Sequence, residues 1–89
     1  VLKTPQEMAV DAATRFKDMR KAKKIKLKDL SKNSGVPYST IRRFESSGEI
    51  SFLSLVKIVS TIGEDEEIAN LFTRRIPASI EEIIRENRR

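Results

Sequence analysis

Between Leu27 and Phe44, small and apolar residues stand at the offsets that two short helices crossing at a steep angle require. Leu27, Leu30 and Ser31 form the inner face of the first, and Ser31 is small where the two helices cross. Gly35 comes four residues later, after Asn33-Ser34, in a turn where a positive φ costs glycine nothing. Val36, Ile41 and Phe44 then supply the shared core from a second helix, expected from Pro37 to about Ser46 and stopped at Ser46-Ser47-Gly48.

Helical signals extend over almost the whole chain. Thr4-Pro5-Gln6-Glu7 has the residues of a capping box with proline at the first helical position, so a helix is expected to begin there. Met8, Ala12, Phe16 and Met19 recur at spacings of four, four and three, which predicts an apolar stripe running out near Lys24. Ser51 can cap a fourth helix on which Phe52, Leu55, Val56, Val59 and Ile62 keep helical spacing up to Gly63. Glu64, Asp65, Glu66 and Glu67 suit the positive end of a fifth helix carrying Ile68, Leu71 and Phe72. Pro77 breaks the chain, and Ser79-Ile80-Glu81-Glu82 forms a second capping box that starts a sixth short helix with Ile80, Ile83 and Ile84.

Composition narrows the chemistry. At 89 residues there is room for one small domain, and a large catalytic cleft is not expected. The absence of Cys and His removes disulfide scaffolds, Cys/His zinc sites, cysteine nucleophiles and histidine-based triads together. Glu81 and Glu82 are adjacent and face different directions, so they read as helix-cap acids rather than an acid/base pair. Neither an enzyme nor a metal or cofactor is expected. No apolar run approaches the roughly 20 residues that span a bilayer, and Val1-Leu2-Lys3-Thr4 lacks the apolar core of a signal peptide. The expected location is cytoplasmic, with no membrane partner.

Charge points to a polyanion. The net charge is +5, and the first 50 residues hold 12 basic and 6 acidic side chains while the remainder hold 6 and 7. Arg15, Lys17, Arg20, Lys21, Lys23, Lys24, Lys26 and Lys28 crowd one stretch against the single acid Asp18. On a helical wheel Ile41 and Phe44 point one way, while Ser39, Arg42, Arg43 and Ser46 cluster opposite them with Tyr38 at the edge. Arginine can bond bidentately to guanine O6 and N7 in the major groove, and Ser or Tyr hydroxyls reach base edges or phosphates. The pattern over 27–46 is that of a helix-turn-helix, whose second helix, the third of the chain, can enter the groove while the chain's first helix and its loop lie along the phosphate backbone. Arg15, Lys23, Lys24, Lys26, Lys28 and Ser46 are the phosphate candidates on this reading.

Arg15 to Ile25, followed by Leu27-Lys28-Asp29-Leu30-Ser31, Ser34-Gly35-Val36, Ser39-Thr40-Ile41, Phe44-Glu45 and Leu55 to Val59, resembles the Cro/phage-repressor-like helix-turn-helix family, also called the xenobiotic-response-element type. The resemblance covers roughly Arg15 to Gly63. It implies an all-α fold: a five-helix repressor-like helix-turn-helix domain over 1–73, and a short additional C-terminal helix in an extension over 74–89. By the same resemblance Pro37, Tyr38, Ser39 and Arg43 stand where family members read bases, with Arg42 beside them, and Arg20 and Glu45 match positions that often form a salt bridge beneath the DNA-facing surface. Members commonly cap the second helix with Ser or Thr followed by Gln; here Lys26 and Leu27 occupy those places, and Pro37 replaces a usual Ser or Thr.

The expected function is sequence-specific transcriptional regulation, as a repressor that binds a palindromic operator in double-stranded DNA as a homodimer. Ile80, Ile83 and Ile84 form an apolar stripe that Leu71, Phe72 and Ile76 extend, and this is the expected dimer or partner surface. The alternative is an antitoxin that sequesters a toxin protein and autoregulates its operon, using the segment from Arg74 to Arg89 as the toxin-binding element.

Overall fold

The computed structural model describes residues 2–74, which form five helices and no strand. Helix α1 runs from Pro5 to Ala22. Its capping box is formed: Thr4 Oγ1 accepts from the Glu7 backbone N–H at 3.1 Å, and the Glu7 carboxylate accepts from the Thr4 N–H at 2.9 Å. At the other end Lys24 takes the left-handed conformation with φ 58°. The Ile25 N–H can then donate back to the Arg20 carbonyl at 3.1 Å, which stops the helix.

Helix α2 spans Leu27–Ser34 and α3 spans Tyr38–Ser47, with Pro37 as the cap of α3 rather than its first residue. Gly35 joins them at φ 76°. The hydroxyl of Ser31 donates to the Val36 carbonyl at 2.7 Å, so this residue also pins the turn as well as being small at the crossing. Helix α4 runs Phe52–Thr61 under the cap of Ser51, and α5 is confined to Asp65–Ala69.

These helices close over one core of Ala13, Phe16, Leu30, Val36, Ile41, Phe44, Ile58, Val59 and Ile62. Phe16 meets Phe44 edge to face, with ring centres 5.6 Å apart. The face that α1 turns toward α3 is rotated from the expected Met8–Ala12–Phe16–Met19 stripe. Ala13, Phe16 and Arg20 are buried, whereas Met8 is 53% exposed and Ala12 is exposed. The rotation follows from what α3 presents: Gly48 lies against the backbone of Ala9, Phe44 against Phe16, and Glu45 against Arg20. All three partners share one α1 face.

Two further expectations are corrected. On α4 the core face is Leu55, Ile58, Val59 and Ile62; Ile58 is fully buried, and Phe52, expected inward, is 58% exposed at the start of the helix. The expected fifth helix stops before Leu71 and Phe72. Asn70 caps it, Phe72 adopts φ 59° and is 96% exposed, and Leu71 is 40% exposed. A helix of a single turn gains little from propagation, and asparagine favours the turn over another helical residue. The expected sixth helix, with Ile76, Ile80, Ile83 and Ile84, lies outside the described residues.

Candidate nucleic-acid interface

Burial of Ile41 and Phe44 fixes the rotation of α3, and its opposite face is left to solvent. Tyr38, Ser39, Arg42 and Arg43 are all exposed, as is the cap Pro37. The structure brings these together as one surface at the start and middle of α3. Ser46, near the helix end, is exposed too, and its hydroxyl donates to the Arg43 carbonyl at 3.1 Å. Its lone pairs stay free to accept.

Beneath this surface Arg20 acts as a bracket. Its Nε and Nη2 donate to the two carboxylate oxygens of Glu45 at 2.7 and 2.9 Å, and its Nη1 donates to the Ile25 carbonyl at 2.8 Å. The Arg20 and Glu45 side chains are only 8% and 5% exposed. A bidentate pair of this kind fixes geometry as well as charge. One guanidinium thereby ties α1, the α1–α2 turn and the end of α3 into a single unit, and the basic turn keeps a set position relative to α3.

Lys24, Lys26 and Lys28 are exposed on that turn and on the first turn of α2. Neither Lys26 nor Pro37 offers a side-chain cap to its helix. The first backbone N–H groups of α2 and α3 therefore have no side-chain acceptor, and the positive end of a helix is a ready anion partner.

The remaining phosphate candidates are placed differently. Lys23 Nζ pairs with Glu64 at 2.9 Å, so a phosphate there must displace a carboxylate. Arg15 borders an apolar groove of about 540 Å³ between α1 and α4–α5, whose walls include Phe16, Phe52, Leu55, Ile68 and Leu71. Leu71 lines that groove and Phe72 is exposed, while Ile76, Ile80, Ile83 and Ile84 lie outside the described residues.

Sequence reasoning missed one charged neighbour of this exposed α3 face. Glu49, just after the left-handed Gly48, sends Oε1 to within 3.4 Å of Arg43 Nη2. Helical periodicity cannot reveal this pair, because the chain turns at Gly48 between its two members. No group of His, Cys, Asp or Glu with metal-binding geometry occurs among the described residues. Nor is any described helix long and apolar enough to cross a membrane.

A protein-family model described as helix-turn-helix matches residues 16–68. No curated protein and no solved structure matches the chain.

Proposed function

The chain belongs to the Cro/phage-repressor-like helix-turn-helix family of DNA-binding transcriptional regulators, and from that premise we infer that it represses transcription by binding a two-fold symmetric operator as a dimer. The observation that carries the reading is the exposed set Tyr38, Ser39, Arg42 and Arg43 on the face of α3 opposite its buried Ile41 and Phe44. That face reads bases from the major groove. Lys24, Lys26, Lys28, Ser46 and the uncapped helix starts meet phosphates on either side, which sets register without reading sequence.

Dimerisation follows from the size of the reading head. A recognition helix as short as α3 seldom supplies enough affinity alone, and two half-sites about 34 Å apart need two heads at fixed spacing. Support for an apolar interface comes from Leu71, 40% exposed in the wall of the groove between α1 and α4–α5, and from Phe72, 96% exposed. With Ile76, Ile80, Ile83 and Ile84 they make up the proposed self-association surface, and residues 74–89 are the proposed dimerisation extension.

Selection of bound duplexes from a random pool tests the reading. A recovered inverted repeat with half-sites about one helical turn apart is expected. Recovery of unrelated sequences would overturn sequence-specific recognition, and a single unpaired half-site would overturn the dimer.

A further inference from the structure

We propose that Glu49 determines specificity by positioning Arg43 at the DNA-facing surface. This rests on the DNA-binding reading above and adds to it a residue outside the recognition helix.

The backbone at Glu49 is placed by its surroundings. Gly48 turns the chain at φ 80°, and a Cβ there would lie 2.7 Å from the Ala9 carbonyl carbon, so the turn sits directly on α1. The Glu49 N–H donates to Ser47 Oγ at 3.3 Å, and the Ser47 hydroxyl in turn donates to the Arg43 carbonyl at 2.7 Å. The backbone of Glu49 is thus linked through one hydroxyl to the backbone of Arg43. Its carboxylate closes the loop by meeting the Arg43 guanidinium at 3.4 Å. Thr40, Arg43, Glu49, Ile50, Ser51 and Ser54 line a cleft of about 340 Å³ between α3 and the start of α4.

Glu49 engages one terminal nitrogen of Arg43, and a guanidinium carries five donors. The others remain available to a guanine edge. An unsupported arginine on an exposed helix loses rotamer freedom when it docks; one biased toward a single side by a neighbouring carboxylate loses less. The pair is worth little to folding, since the two side chains are 68% and 60% exposed. Its effect is on selectivity. A carboxylate beside a phosphate-facing surface opposes loose backbone binding, while its grip on Arg43 favours the complex in which that side chain reaches a base.

The test compares Glu49→Gln with the unaltered chain on a duplex selected for binding and on a random duplex, at several salt concentrations. Glu49→Gln is expected to tighten binding to random DNA severalfold, to leave the selected duplex no tighter, and so to lower the ratio of the two affinities severalfold. In an Arg43→Ala background the same substitution should leave the ratio unchanged. Parallel tightening on both duplexes would make Glu49 a repelling charge only and overturn the proposal. So would an equal fall of the ratio with and without Arg43. Failure of the unaltered chain to prefer its selected duplex would instead overturn the DNA-reading assignment itself, before Glu49 enters.

Discussion

Arg43 and Arg20 are both arginines, but one faces solvent and the other is 7% exposed, and their substitutions should fail in different assays. Arg43→Ala is expected to cost about 1–3 kcal/mol on the preferred duplex and little on random DNA, measured by titration of both at one salt concentration. Equal losses on the two would make Arg43 a phosphate contact. Arg20→Ala or Glu45→Ala alone should destabilise the fold by about 3–5 kcal/mol, because each leaves a buried charge unmatched. Replacing both with apolar residues should cost less than either single change, and a double-mutant cycle from chemical denaturation without coupling energy would refute the pair as a structural bracket. The identity of these residues as partners came from a family resemblance. Their burial, and the third bond from Arg20 to the Ile25 carbonyl, depend on how α1 rotates against α3, which periodicity had placed about one residue away.

Helix ends supply the sharpest expectations at the level of elements. The Glu7 carboxylate accepts the Thr4 N–H, which holds its pKa below the ordinary carboxylate value, with the Thr4 hydroxyl region adding to the effect. A depressed folded-state pKa contributes stability that is complete above the unfolded value of about 4.3 and is lost as pH falls through the lower folded value. Thermal melts should therefore lose stability on acidification by less in Glu7→Gln than in the unaltered chain. Thr4→Ala is expected to cost about 1 kcal/mol at neutral pH. The two turn glycines should differ. Gly35→Ala meets nothing within 4 Å and bears only the left-handed backbone penalty of about 1–2 kcal/mol, whereas Gly48→Ala adds a clash with Ala9 at 2.7 Å and should cost clearly more. Equal costs in denaturant titration would show that the α3–α4 turn is not seated on α1. Both glycines and both capping residues were legible from sequence, because caps and left-handed turns are decided by the local chain. The end of α5 was not, since Leu71 and Phe72 continue an apolar spacing that a one-turn helix is too short to sustain.

Taken whole, the molecule concentrates its positive charge in the first 50 residues and offers apolar surface on the side of α1, α4 and α5. Binding to duplex DNA should weaken steeply with salt, each neutralised phosphate adding about 0.9 to the slope of log affinity against log salt. Lys26→Ala should reduce that slope and weaken specific and random complexes alike, whereas Lys23→Ala should do so less because Glu64 already holds Lys23. Ile83→Asp combined with Ile84→Asp is expected to give folded monomers with much weaker operator binding; a dimer persisting at micromolar concentration in ultracentrifugation would place the interface elsewhere. Within the described residues, what the sequence by itself determined is the presence of the five helices, the Thr4 and Ser51 caps and the glycine turns, the apolar pair Ile41 and Phe44 that aims α3, and the basic character of its surroundings. Each depends on residues within a turn or two of one another. The tertiary structure alone decided the rotation of α1, the burial of Ile58 in place of Phe52, the capture of Lys23 by Glu64 and the meeting of Arg43 with Glu49. Those outcomes depend on which helix lies opposite which, and a one-dimensional period says how a face repeats without saying what it will meet.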